Sequence, residues 1–319
     1  MRRAASRPAN TMPANRKRVL RVTVLCGGPS AEREVSLASG RAVAEALRRR
    51  GHEVFVADVG PENLAALDHP ADVVFPALHG PFGEDGTIQR TMADRGIRFV
   101  GADARASALA MDKVASKKLV AAAGIDTPPF EVWDEATLTA RALPDIPLPV
   151  IIKPVDQGSS VATTIVREPP AFGPAVQLTV GQFQRALVEQ FIVGNEVTVG
   201  IVGSEPLPPI CVRPRREFYD YRAKYQDDTT EYLFDAGCPA QVFERAKTLS
   251  RRVFEILGCR HLARVDWMLD REERLWFLEI NTLPGFTSHS LVPKAAQRMG
   301  CGFDELVERL VWMALEGAP

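Results

Sequence analysis

The sequence has little that would tie it to a membrane, a nucleic acid or an oxidising compartment. No apolar run reaches the roughly 18 residues that a bilayer-spanning helix needs. Lysine and arginine together number 39 against 40 acidic residues, a formal net charge of −1. The basic excess of a nucleic-acid-binding surface is therefore missing. The five cysteines, Cys26, Cys211, Cys238, Cys259 and Cys301, are scattered, with no C-x-x-C pair among them. An odd, dispersed set argues against a disulfide framework and a zinc site, and for a reducing compartment. The first eighteen residues, MRRAASRPANTMPANRKR, are basic and carry no acid. They lack the apolar core of a secretory signal, so a cytoplasmic protein with a disordered tail at 1–18 is expected, with Met12 as an alternative start.

Two nucleotide signatures are also missing. Gly27-Gly28 follows the first apolar strand without a G-x-G-x-x-G continuation, which excludes the usual dinucleotide fingerprint and disfavours a dehydrogenase. The phosphate loop G-x-x-x-x-G-K-[ST] is absent as well.

What remains is ordinary in composition and rich in pattern. A chain of 319 residues, 46% apolar and 25% charged, is expected to form two or three domains and to fold without a disulfide or structural metal. Strand-like runs at Val19–Cys26, Val54–Ala57 and Val73–Leu78 alternate with a helical pattern through Val35, Leu37, Val43 and Leu47. That alternation predicts a doubly wound, mostly parallel sheet over 19–111. Ligands bind such sheets beyond the carboxyl ends of the strands, where Gly27–Ser36 and His79–Thr87 lie. A second unit is expected over 112–203, with a helix at Lys113–Ala123 and strands at Val150–Lys153, Ala186–Phe191 and Glu196–Val202. A third is expected over 204–319, with a helix at Ala240–Leu257 and strands at Leu262–Leu269 and Leu275–Asn281. Within it, the polar-aromatic stretch 217–237 is long for a loop inside a compact domain, which points to function.

The strongest chemical signal is the strand pair Arg264-Val265-Asp266 and Leu278-Glu279-Ile280-Asn281. Side chains alternate along a strand, so Arg264 shares a face with Asp266, and Glu279 with Asn281. Carboxylate and amide oxygens are hard ligands suited to Mg²⁺ bound together with nucleotide phosphates. Lys153 ends an apolar strand shortly before Gly158-Ser159-Ser160, where an ammonium and backbone N–H groups can cradle phosphate oxygens. Singly, Glu32 at a helix start is ordinary helix chemistry, and His79 alone would more often be structural.

Taken together, the blocks GGPSAEREVSL (27–37), ALHGPFGEDGTIQ (77–89), SALAMDKVASK (107–117), PVIIKPVDQGSSV (149–161), FYDYRAKY (218–225), ARVDWMLD (263–270) and LEINTLPGFTSHSLVP (278–293) resemble the D-alanine–D-alanine ligase family of the ATP-grasp superfamily. They occur in family order and cover nearly everything from Val19 onward. The resemblance implies an N-terminal Rossmann-like domain, then a two-part ATP-grasp fold, with 217–237 as a mobile flap. It implies ATP, two Mg²⁺ ions (Mn²⁺ as a substitute), D-alanine as substrate and a homodimer, and a dipeptide product for peptidoglycan precursors.

By matched position, the resemblance gives Glu32 the ammonium of the first D-alanine, with Ser159, Tyr225 and His79 around it. Arg264 and the Gly285 backbone N–H would stabilise the tetrahedral oxygen. Lys224 and Ser290 would take the second carboxylate, beside Leu291. Lys113 and Lys153 would contact phosphates, Glu189 and Glu196 the adenine and ribose ends, and Asp266, Glu279 and Asn281 the metal. Three positions depart from the family pattern: Val155, Ala162 (often Gly) and Gln190 (often Lys). Ligases making D-alanine–D-lactate or D-alanine–D-serine are the near alternatives. Tyr221-Arg222-Ala223-Lys224-Tyr225 in the flap favours an amine nucleophile over the hydroxyl of lactate. A non-catalytic ATP-binding protein is the remote alternative, disfavoured because Glu32, Arg264, Asp266, Glu279 and Asn281 are all retained.

Overall fold

The computed structural model describes residues 18–158, 161–213, 231–234, 238–287 and 290–316. Ser159, Lys224 and Tyr225, and most of the expected flap, lie outside the described residues. Among the described residues, no helix is long and apolar enough to cross a membrane.

Strands β1 (Arg21–Gly27), β2 (Glu53–Val59) and β3 (Val73–Pro76) form a parallel sheet in the order β2-β1-β3. Helix α1 (Arg33–Arg49) buries Ser36, Ser39, Val43 and Leu47, a three-to-four-residue spacing that makes one helical stripe. Helices α2 (Thr87–Asp94) and α3 (Ala104–Met111) lead out of this layer.

Helix α4 (Lys113–Ala122) opens the next unit, with the Asp112 carboxylate accepting from the Ala115 N–H at 2.9 Å as its cap. Strands β4 (Phe130–Trp133), β5 (Val150–Pro154), β6 (Thr164–Val166) and β7 (Ala186–Gln190) form an antiparallel sheet ordered β4-β7-β5-β6. Helices α5 (Glu135–Ala140) and α6 (Pro169–Phe183) belong to this unit. Val150, Ile152 and Val188 alternate into the core with Trp133 and Phe172, so Ile151, Lys153 and Glu189 take the opposite face.

The third sheet contains β8 (Gly194–Val202), β9 (Glu205–Pro206), β10 (Ile210–Arg213), β11 (Glu231–Leu233), β12 (Leu262–Asp270) and β13 (Leu275–Asn281), ordered β11-β10-β8-β12-β13 with β9 on β8. Here the structure differs from the sequence-based division at residue 203. β8 pairs with β12 along its whole length, from Gly194↔Asp270 to Val202↔Leu262, so it belongs to this sheet and not to the preceding one. An alternating strand announces which side chains are buried but not which neighbour it pairs with. Val197, Val199, Ile201, Val265 and Trp267 pack with residues of the helix Ala240–Ile256. The last two helices, Leu291–Arg298 and Phe303–Glu316, share one apolar cluster with α1, β1 and β3.

Candidate active site

The outer faces of the second and third sheets enclose a cleft lined by Lys113, Lys153, Glu189, Glu196, Asp266 and Glu279. Its space, open solvent at the mouth included, amounts to about 790 Å³. Apolar side chains, among them Ile151, Met268 and Leu278, complete the lining.

Register explains the polar wall. Asp266 pairs with Glu279 and with Thr198, and Arg264 pairs with Asn281, so one face carries the expected set. The alternation is broken once: Asp266↔Glu279 is followed by Trp267↔Phe277, leaving Leu278 as the extra residue of a β-bulge. Phe277 therefore stays in the core against Trp267, while Leu278 and Glu279 both reach the cleft.

The Asp266 carboxylate is heavily coordinated. It accepts from Arg264 Nη2 at 2.7 Å, Thr198 Oγ1 at 2.6 Å and Asn281 Nδ2 at 3.1 Å. Lys113 Nζ lies 3.3 Å from Glu279 Oε2 and donates to the Gln157 carbonyl at 2.7 Å. Glu189 is only 1% exposed and is held by two ammonium groups, Lys117 at 2.5 Å and Lys153. Burial would raise its pKa, but the charges of Lys117 and Lys153 outweigh this and hold it below the ordinary carboxylate value. Burial would likewise lower the Lys153 pKa, and Glu189 and Glu279 reverse the direction. Glu189 thus serves the cleft first as an anchor for lysines, a use that its sequence position did not announce.

A second buried group forms beside the parallel sheet. Glu32, 8% exposed, stands at the N-terminus of α1. Two loops reach it because they carry glycine. A β-carbon added at Gly158 would lie 2.8 Å from Glu32 Oε2, and one at Gly80 would lie 2.9 Å from Ser30 Cβ. His79 Nδ1 lies 3.0 Å from the Leu283 carbonyl. A carbonyl only accepts, so Nδ1 carries the proton and Nε2 accepts from Ser39 Oγ at 3.3 Å. Ser39 Oγ in turn accepts the Phe286 N–H at 3.2 Å. Burial pushes the His79 pKa down, which keeps the ring neutral. Both ring nitrogens are engaged within the protein, so His79 is a post for the loop 283–286 that carries Gly285. Glu84 accepts the Gly80 N–H at 2.7 Å. Burial, and then the Glu32 charge, push its pKa up to about 8.

Gly285 and Ser290 are neighbours: a β-carbon at Gly285 would lie 3.3 Å from Ser290 Oγ, and that oxygen accepts the Thr287 N–H at 3.1 Å. Ser290 precedes the helix Leu291–Arg298, and Leu291 packs partly on the shared apolar cluster.

A family profile described as "D-ala D-ala ligase C-terminus" matches residues 119–312, and one described as "D-ala D-ala ligase N-terminus" matches residues 58–102. The chain belongs to the D-alanine–D-alanine ligase family. A family member of that name from Syntrophotalea carbinolica is 44% identical over 91% of this chain and 95% of its own length. Among solved structures, the D-alanine–D-alanine ligase of Bacillus anthracis complexed with ATP is similar at a TM-score of 0.80 and 30% identity, over 94% of this chain and 98% of that one. The VanG D-Ala:D-Ser ligase of Enterococcus faecalis is similar at a TM-score of 0.82 and 27% identity, over 93% and 100%.

Against the family pattern, the three departures take distinct places. Val155 is buried with Val114 and Leu187, so its apolar side chain packs the core. Gln190 lines the cleft. Ala162 has φ +50°, a left-handed backbone that glycine adopts freely and that costs a residue with a β-carbon roughly 1 kcal/mol. Residues that the sequence did not single out are Lys117, Thr198 and the apolar lining. Lys117 could have been found as the lysine one turn beyond Lys113; Leu278 could not, because a bulge leaves no local signal.

Proposed function

We propose that this chain joins two D-alanine molecules into D-alanyl-D-alanine at the expense of ATP, releasing ADP and phosphate, to supply a peptidoglycan precursor. The observation that carries it is the cleft in which Lys113 and Lys153 face Asp266 and Glu279, close to a buried Glu32 approached by two glycines.

A carboxylate is a poor electrophile, so the first D-alanine needs activation. Its carboxylate oxygen attacks the γ-phosphorus of ATP, forming an acyl phosphate and releasing ADP. The second D-alanine, as the free amine, attacks the acyl carbon, the C–O bond to phosphate breaks, and the attacking nitrogen gives up one proton to the departing phosphate. Lys113 and Lys153 bind the phosphate chain, Glu196 the ribose end, and Ile151, Met268 and Leu278 the flat base. Glu189 supports this end through Lys153. Glu32 pairs with the first ammonium, and Arg264 with the Gly285 N–H stabilises the oxygen that gains charge on attack. Ser290, with Lys224, takes the second carboxylate beside Leu291. Ser159 and Tyr225 close the site over the acyl phosphate, which water would otherwise destroy.

Asp266, Glu279 and Asn281 fit Mg²⁺: they are hard oxygen donors at facing strand positions, their charge balanced here by Arg264 and Lys113. The metal would neutralise phosphate charge.

Phosphate release with ATP, Mg²⁺ and D-alanine tests the assignment, with D-serine and D-lactate offered as second substrates. The expected product is D-alanyl-D-alanine. Release only with D-serine or D-lactate reassigns the second subsite, and no release with any of them removes the ligase activity.

A further inference from the structure

One buried charge has no part in the chemistry just assigned. Lys117 lies on α4, 0% exposed, and does not line the cleft. Its ammonium donates to Thr127 Oγ1 at 2.8 Å and to the Phe277 carbonyl at 2.9 Å, and it pairs with Glu189 Oε1 at 2.5 Å. Two of its protons are thus given to neutral oxygens, and its charge is met by the Glu189 carboxylate. Phe277 is on β13, Glu189 on β7, and Thr127 in the segment leading to β4. The same side chain therefore ties helix α4 to both sheets that wall the cleft. Glu189 Oε2 holds the Lys153 ammonium, and Lys153 lines the cleft.

Stability alone does not call for such an arrangement. Replacing a buried ion pair with apolar groups of similar shape is often neutral or stabilising, whereas removing one partner leaves a stranded charge. A fully buried lysine whose anion lines the cleft and holds a second lysine there is a device for fixing position.

We propose that Lys117 is a positioning residue for nucleotide. It pins the Glu189 carboxylate and, through it, the Lys153 ammonium that meets the phosphates, while bracing the two walls against each other. This rests on the ligase assignment above, and the two can fail separately.

The test is Lys117→Met, with Lys117→Arg as the variant that keeps the charge. Binding of ADP with Mg²⁺ is followed by calorimetry, and KM is measured separately for ATP and D-alanine. In Lys117→Met, ADP binding is expected to weaken tenfold or more and KM for ATP to rise in step. KM for D-alanine should change less than twofold, and Lys117→Arg should recover ADP binding to within about threefold of wild type. A folded Lys117→Met that binds ADP as wild type does, or that raises both KM values equally, overturns the role. Should Lys117→Met not fold, Thr127→Val, which removes one acceptor of the same ammonium, decides. ADP binding weakened at least twofold supports the role, and unchanged binding overturns it. Wild-type protein that binds no ADP overturns the nucleotide site itself, a different result from tight binding by wild type and variant alike.

Discussion

Glu84 shows how much one proton can govern. Its pKa is raised to about 8 by burial and by the nearby Glu32 charge, whereas in an unfolded chain it would titrate near the ordinary glutamate value. Between those two values the folded state binds the extra proton, so this group makes stability fall as pH rises, at up to about 1.4 kcal/mol per pH unit. Glu84→Gln removes the titration and can still accept the Gly80 N–H. The variant should gain stability relative to wild type as pH is raised from 5 to 8, in urea unfolding followed at each pH. A difference that stays constant across that window refutes the assignment. Glu279 tests the other group. Glu279→Gln keeps the shape but weakens a hard anionic ligand, so turnover should drop at least a hundredfold. Full activity would remove the metal role.

At the scale of the element, the bulge in β13 decides what the cleft walls are. Without it, strict alternation from Phe277 would turn Glu279 into the core; with it, Leu278 and Glu279 both face the cleft. Leu278→Ala should raise KM for ATP severalfold and leave kcat within about twofold. An unchanged KM would take Leu278 off the nucleotide wall. Much of this was legible beforehand. The β12 and β13 strands, the helix starting at Lys113 and the polar face Arg264–Asp266 all follow from period-two and helical spacing, which local sequence states directly. Three features were not legible, each because a distant partner sets it. β8 joins the third sheet through pairing with β12, Glu189 is claimed by lysines from two other elements, and His79 spends both nitrogens on Leu283 and Ser39. Ala162 was noticed as a departure, but its left-handed backbone belongs to the fold.

Across the whole molecule, the two ends of the described chain are bound together. The helix Phe303–Glu316 lays Leu306, Leu310 and Val311 in the same cluster as Val43 and Leu47 of α1. Arg49 pairs with Asp304 at 2.7 Å, and Arg50 Nε donates to Glu308 at 2.8 Å. Leu310→Ala should cost roughly 2–5 kcal/mol and lower the whole unfolding curve while keeping it a single transition. Separate transitions for the N-terminal layer and the rest would mean that the helix does not couple them. The same closure bears on biosynthesis. From Arg49 to Phe303 is 254 residues, so at roughly 5–20 residues per second the ribosome takes on the order of ten to fifty seconds between them. Throughout that interval α1 packs only on its own sheet and lacks the cover of the last helix, so a nascent chain stalled short of that helix would leave apolar surface open to chaperones.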